Sequence, residues 1–220
     1  MPSNPHFAFG LASIQGRRDY QQDLGGASPT MLVVCDGMGG HQGGDKASRA
    51  AMSAVVDWRD FSNLGGLFRT AQKAIAPAAG EDAGTTMVLV RTTGTPYTLV
   101  CAAAGDSPAW HYDVKLRKLK LLYQPHRARN GGLTKGVFGH DPDGQYCRPK
   151  ICRFKVSLGD LILVGSDGLV DGGANASVVQ RVISANSGAS PTTLARKLIM
   201  AAYLAGSDDN ITATVGRIVR

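Results

Sequence analysis

No apolar run in the sequence approaches the ~18 residues that a membrane-spanning helix requires, so a bundle of such helices is excluded. Aromatic residues make up only 6% and do not interleave with basic ones, which leaves a stacking platform for single-stranded nucleic acid without support. There are four cysteines, Cys35, Cys101, Cys147 and Cys152, and no CxxC pair. Cys35 and Cys101 lie inside apolar stretches, so all four are read as reduced thiols of a cytoplasmic protein rather than as a disulfide framework. The five histidines show neither HExxH nor any paired spacing, which leaves zinc without its usual ligands. No basic segment precedes the short apolar run near the N-terminus, which argues against a signal peptide. Repeats, low-complexity segments and linkers are also missing, and residues 1–220 are expected to form a single domain.

What is there is an ordinary globular composition, 43% hydrophobic and 19% charged, with a high count of 28 glycines. The formal net charge is +7. Basic residues gather in KLRKLK, Lys115 to Lys120, and in RPKICRFK, Arg148 to Lys155. These read first as solvated strand surfaces, and second as a field that attracts an anionic partner.

Hydrophobic periodicity predicts strands over Phe7–Ile14, Met31–Cys35, Thr85–Thr92, Tyr97–Ala104, Ile151–Val156, Leu161–Gly165 and Ile211–Val219, with another near Trp110. The Ile151–Val156 and Leu161–Gly165 strands are expected to pair across SLGD. Helical spacing covers Gly44–Trp58, Leu64–Ala79, Asn175–Asn186 and Ser190–Ala205. Ser190 can cap the last of these, Pro191 suits its first position and Gly206 stops it, with Leu194, Leu198, Ala201 and Ala205 on one stripe. Strands in turn-linked pairs with grouped helices argue for an α+β fold built on antiparallel sheets.

Several aspartates share a local setting. Asp36 follows MLVVC, Asp106 follows LVCAAAG, Asp167 follows LILVGS, Asp209 precedes NITATV, and Asp23 sits in the polar stretch GRRDYQQD. A carboxylate at the end of an apolar strand is held rigidly where the sheet stops. Clustered carboxylates repel one another unless cations neutralise them, and an all-oxygen donor set suits Mg²⁺ or Mn²⁺. Five glycines follow Asp36 within eight positions, Gly37 to Gly44. They would leave the Gly37 carbonyl open to a metal and leave room for a substrate. A phosphate-cradling P-loop is excluded, because Lys46 lies between Asp45 and Ala47 instead of in Gly-Lys-Ser/Thr. No CxxxxxR follows Cys35, which excludes a cysteine-phosphatase loop.

In chain order, GRRDYQQD, VVCDGMGGHQGGDKAS, AGTTMVLV, AAAGDSPAW, LTKGVFG, LGDLILVGSDGLVD and SDDNITATV resemble the motifs of the metal-dependent protein serine/threonine phosphatases of type 2C (PPM), in their compact bacterial form. The resemblance spans nearly the whole chain. It implies a four-layer αββα sandwich of two antiparallel sheets flanked by helices, and hydrolysis of phosphoserine or phosphothreonine in proteins. A hydroxide bridging two Mn²⁺ or Mg²⁺ ions would attack phosphorus in line. Asp36 would bridge both ions, Asp167 and Asp209 would complete the first, and Asp23 and the Gly37 carbonyl would serve the second. Asp106 would help hold a third ion, and Arg18 would bind the substrate phosphate. The same resemblance implies a phosphorylated protein substrate, an opposing Ser/Thr kinase, and a monomer that binds neither nucleic acid nor membrane. It also points to Arg127–Arg148 as a substrate-selecting flap. Four positions depart from the family pattern: Gln22, where some members carry glutamate; Met38, in place of histidine; Pro108, for arginine; and Pro125, for an acidic residue. With Met38 present, a metal-bound water is the first choice of general acid and His126 the second. Two other readings stand beside this one: a phosphatase-like module that binds a phosphorylated partner with little turnover, and another metallohydrolase such as a nuclease.

Overall fold

A computed structural model describes residues 5–38, 40–129 and 132–220, with the backbone alone at 40–42. Gly39 of the glycine-rich stretch, and Asn130 and Gly131 of the expected flap, lie outside the described residues. The strands are β1 His6–Ile14, β2 Asp23–Ser28, β3 Met31–Met38, β4 Gly84–Thr85, β5 Met87–Thr92, β6 Thr98–Ala104, β7 Ala109–Asp113, β8 Lys118–Leu121, β9 Val137–Phe138, β10 Lys150–Lys155, β11 Leu161–Gly165 and β12 Ile211–Val219. The helices are α1 Gly40–Asp57, α2 Leu64–Ala79, α3 Ala176–Ala185 and α4 Pro191–Leu204, with a short 3-10 turn at Asp167–Leu169.

The strands form two antiparallel sheets. One has five strands in the order β1-β12-β11-β7-β8; the other has seven, β10-β6-β5-β3-β4-β9, with β2 paired to β3. Three apolar layers hold the sandwich together. Phe7, Leu32, Val34, Val88, Val90, Ile162, Val164 and Ile218 pack between the sheets. Val33, Cys35, Leu89 and Val100 face the other way, against Ala47, Ala51, Val55, Leu67, Phe68 and Ile75 of α1 and α2. Trp110, Tyr112, Leu163 and Val215 meet Val179, Leu194, Leu198 and Ile199 of α3 and α4. β3 is therefore buried on both faces, which is why its sequence is a continuous apolar run and not an alternating one. The architecture is the αββα sandwich of the α+β class.

Local signals explain most boundaries. α2 has the expected limits, with Asn63 Oδ1 accepting from Gly66 N at 2.8 Å and Gly80 at φ 95° ending it. Ser190 Oγ accepts from Thr193 N at 3.2 Å at the start of α4. The buried face of α4 is Leu194, Ala195, Leu198, Ile199 and Ala202, rotated from the expected stripe that ended on Ala201 and Ala205. α1 begins at Gly40, four residues before the predicted Gly44; Gly40, Gly43 and Gly44 have poor helix propensity, which hides the first turn from the sequence pattern.

Three further differences follow from tertiary structure. Ile151–Val156 and Leu161–Gly165 do not pair with each other. β10 pairs with β6, while β11 lies between β12 and β7, and the Ser157–Asp160 turn carries the chain from one sheet to the other. The Asp160 carboxylate braces that crossing by accepting from Ser157 N at 2.8 Å and Val114 N at 3.3 Å. Thr85–Thr92 is broken at Thr86 into β4 and β5. Asp23 opens β2, an element hidden in the sequence by Gly25 and Gly26. The basic clusters fall on β8 and β10, the outermost strands of their sheets, with Lys118, Lys120, Lys150, Arg153 and Lys155 exposed. Charges so placed discourage pairing of the open edges with another chain.

Candidate metal centre

Five strand ends meet at one edge of the sandwich, and each delivers an aspartate. Asp36 lies near the end of β3, and Asp23 begins β2 directly opposite it in the ladder. Asp106 follows β6, Asp167 opens the 3-10 turn after β11, and Asp209 stands just before β12. The first three belong to the seven-stranded sheet and the last two to the five-stranded sheet. Asp36, Asp106, Asp167 and Asp209 line a cleft of about 520 Å³ with Arg18, Gly37, Met38 and Arg127. Asp23 is buried, and neither of its carboxylate oxygens has a hydrogen-bond partner of sound geometry. Ser166 and Thr212 approach it, but Thr212 Oγ1 is paired with Ser13 Oγ at 2.7 Å and Ser166 Oγ accepts from Thr212 N at 3.0 Å.

The electrostatics show an unbalanced cluster. Burial raises the Asp23 pKa to about 7, with Asp167 and Asp209 adding to the rise. Burial and then the Asp23 charge push Asp36 well above the carboxylate range. Asp167 is raised to about 6, first by burial and then by Asp106 and Asp209. Like charges directly opposite in a ladder destabilise it, so the Asp23–Asp36 pair is costly as it stands. Arg127 Nε donates to Asp106 at 2.6 Å and its Nη2 donates to Asp167 at 2.8 Å. Arg18 Nη2 donates to Asp209 at 2.7 Å and Arg18 Nε to the Asp208 carbonyl at 3.2 Å. Two guanidiniums thus serve three carboxylates, and neither is bonded to Asp23 or Asp36. Among the described residues no three His, Cys, Asp or Glu side chains form a ready-made cage; the arginines draw Asp106, Asp167 and Asp209 toward themselves instead. Asp23 carries the fit to a cation: its buried oxygens lack partners, and the surrounding donors are all oxygen, the set that Mg²⁺ and Mn²⁺ prefer.

A pH dependence follows. A carboxyl whose pKa is about 7 in the fold and ordinary when unfolded binds more protons folded than unfolded across that interval. Metal-free protein is therefore expected to lose stability as pH rises from about 4 to about 7, by up to roughly 4 kcal/mol from Asp23. Urea titrations at pH 5 and pH 8 in chelator measure it, and Asp23→Asn should flatten the profile.

The frame around the aspartates is specific. The Asp36 carbonyl accepts from Thr86 N at 2.8 Å and from Thr85 Oγ1 at 2.9 Å, while Asp36 N donates to Thr86 Oγ1 at 3.1 Å. Thr86 Oγ1 also meets Ser107 Oγ at 2.6 Å. The break at Thr86 is thus what clamps Asp36 and ties it to the turn bearing Asp106. Gly105 makes that turn at φ 121°, and a Cβ there would lie 2.6 Å from Thr86. Two of the glycines after Asp36 have a packing reason: a Cβ on Gly37 would lie 2.1 Å from the Gly44 carbonyl oxygen, and one on Gly44 would lie 2.7 Å from Gln22 Nε2. They let α1 sit against the end of β3 and the Gln22 loop.

Sequence reasoning gave no separate role to Asn210 or Arg127. The buried Asn210 amide donates to the Gln15 carbonyl at 2.7 Å and the Tyr20 carbonyl at 2.8 Å, and its Oδ1 accepts from Gln22 N at 2.8 Å. It holds the loop that carries Arg18 and Asp23. Its only sequence signal is its place beside Asp209. Arg127 gave none, because its partners depend on how its loop closes. Asn210→Ala strips three bonds from a buried loop and should lower stability by about 2–4 kcal/mol, measured by chemical denaturation.

His126 does not line the cleft. Its Nδ1 accepts from Gly105 N at 3.2 Å, and its backbone N donates to the Gly105 carbonyl at 3.0 Å, so it braces the Asp106 turn. Pro108 packs below this turn and accepts from Gly165 N at 3.0 Å. Met38 and Gln22 do line the cleft.

No protein-family model and no curated protein matches the sequence. Solved structures do match the fold. PppA, described as a key regulatory component of T6SS in Pseudomonas aeruginosa, superposes with a TM-score of 0.84 at 24% identity, covering 97% of this chain and 98% of its own. The Mycobacterium tuberculosis serine/threonine phosphatase PstP/Ppp gives 0.83 at 21%, covering 98% and 100%. The catalytic domain of PstP in complex with two manganese ions gives 0.83 at 23%, covering 99% and 100%. The fold is that of the PPM serine/threonine phosphatases. Within that fold this chain places its five aspartates at one edge of the sheet pair.

Proposed function

We propose that this chain is a metal-dependent protein serine/threonine phosphatase. The observation that carries the proposal is Asp23, buried and with its carboxylate unpartnered opposite Asp36, beside a cleft that Arg18 helps to line. Asp36, Asp23, Asp167 and Asp209, with the Gly37 carbonyl, would hold two Mn²⁺ or Mg²⁺ ions; Asp106 would hold a third only where Arg127 gives way. Such ions supply Lewis acidity and a water acidified toward neutral pH.

The chain's own groups do the rest. The exposed Arg18 guanidinium presents a fork that matches two oxygens of a phosphate monoester. Binding substrate would exchange its Asp209 contact for a phosphate contact, which frees Asp209 for the metal side of the site. Thr86, fixed by its clamp on Asp36, and Asp167 both line the cleft, so a phosphoryl group there would meet groups already held in place. No histidine or lysine is found among the described residues lining the cleft, and the departing alkoxide takes its proton from water. The substrate class is a protein phosphorylated on serine or threonine, which implies a kinase that installs the mark.

The test is release of inorganic phosphate from a phosphothreonine peptide. We expect turnover with manganese, background with chelator, and no cleavage of DNA under either condition. The Arg127 pairs with Asp106 and Asp167 favour a second reading, in which the domain binds a phosphorylated partner without turnover. Peptide binding with no phosphate release at saturating manganese would establish that reading and overturn the first.

A further inference from the structure

Of the four thiols, Cys35, Cys101 and Cys147 are buried, and Cys152 is half-exposed on β10, an outermost strand. The ladder between β10 and β6 sets Cys152 directly opposite Cys101. Directly opposed residues share a face of the sheet, and both cysteines belong to the packing between the two sheets. Opposed Cα atoms in an antiparallel pair lie about 4.5–5.5 Å apart, inside the range a disulfide spans without moving the backbone. We propose that Cys101 and Cys152 are a thiol oxidation site that closes to a reversible intramolecular disulfide when the protein meets a hydroperoxide.

The two sulfurs divide the work. Cys152 is the one solvent reaches. The adjacent Cys101 thiol, helped by Lys120 and Lys150, brings the Cys152 pKa to about 7 despite partial burial. A substantial fraction is then thiolate at neutral pH, the form that attacks peroxide. In its thiol form Cys152 donates to the Leu122 carbonyl at 3.2 Å. Cys101 is shielded from peroxide and stays a thiol, pushed well above its ordinary range by its bond to Cys152 and by burial. In the first step the Cys152 thiolate attacks one peroxide oxygen, the O–O bond breaks, and hydroxide leaves, giving a sulfenic acid. In the second the Cys101 sulfur attacks the Cys152 sulfur. Its proton and the departing hydroxide make water, and the S–S bond forms. Overall two thiols and one peroxide give one disulfide and two waters. Cys35 and Cys147 have no such partner: each is buried, and burial raises the thiol pKa, to about 11 for Cys147. The new bond would join the strand that follows Arg127–Arg148 to the strand that leads into Asp106, closing a loop that contains Arg127.

The test uses the full chain at pH 7 with a modest excess of hydrogen peroxide. The mixture is quenched by denaturing in N-ethylmaleimide and mapped by peptide mass. We expect the mass to fall by two hydrogens, Cys101 and Cys152 to be lost to alkylation together, and dithiothreitol to restore both. Cys35 and Cys147 should alkylate at least about tenfold more completely than the pair. Cys152→Ser should leave Cys101 reduced. Cys101→Ser should stop at a Cys152 sulfenic acid that dimedone traps. Four alkylated cysteines after treatment would overturn the proposal. So would a disulfide that forms equally in Cys152→Ser, or one that joins two chains.

Discussion

Asp36→Asn is expected to abolish manganese-dependent phosphate release while making the metal-free protein more stable. Asp36 faces the cleft from the end of β3 and sits across the ladder from buried Asp23. Removing its charge takes away the carboxylate proposed to bridge the ions, and kcat/KM should fall by about a thousandfold or more, some 4 kcal/mol of transition-state stabilisation. The same substitution removes the charge that repels Asp23, so the unfolding free energy in chelator at pH 8 should rise by about 1–3 kcal/mol. At pH 5, where Asp23 carries its proton in the fold, the gain should largely vanish. A destabilised variant would explain lost activity trivially; gain of stability with loss of activity would not. Full activity in Asp36→Asn would refute the site.

Manganese is expected to raise the thermal midpoint of the wild-type chain by about 5–10 °C at a concentration a hundredfold above its dissociation constant, and EDTA to reverse the shift. Ligand that binds only the folded state stabilises by about 2.7 kcal/mol at that ratio. A domain of this size shifts by roughly 2–4 °C per kcal/mol. The cation would give the Asp23 oxygens the partners they lack and relieve the pressure on Asp36. Asp23→Asn and Asp36→Asn should each remove most of the shift, whereas Asp113→Asn, at the end of β7 away from the Asp106 turn, should keep it. Equal shifts in all three variants would mean that manganese binds elsewhere.

The sequence makes some of this legible and hides the rest for physical reasons. Asp36, Asp106 and Asp167 stand out because each ends an apolar strand, and Asp209 because it introduces one. Helix α2 is bounded by an Asn cap and a glycine stop, signals that act within a few residues. Strand β2 is not visible, since Gly25 and Gly26 interrupt any pattern, and with it goes the fact that Asp23 is buried opposite Asp36. The partners of β10 and β11 are not visible either, because an apolar strand does not encode which neighbour it chooses; the exposed lysines of β10 mark it as an edge only in hindsight. Arg127 depends on the closure of a long loop. The glycines after Asp36 invite a metal-access reading, and at Gly37 and Gly44 the structure adds a packing reason that the sequence does not show, since a side chain there would meet α1 or the Gln22 loop.

The aspartates are shared between two sheets, three on one and two on the other, and the apolar layer that includes Phe7, Leu32, Val88, Ile162 and Ile218 packs those sheets against each other. A slide of one slab over its neighbour would pull Asp167 and Asp209 away from Asp36 as surely as a change at the cleft itself. If the proposed ions bind, their affinity should therefore report on side chains deep in the middle layer, away from the oxygens that would touch a cation.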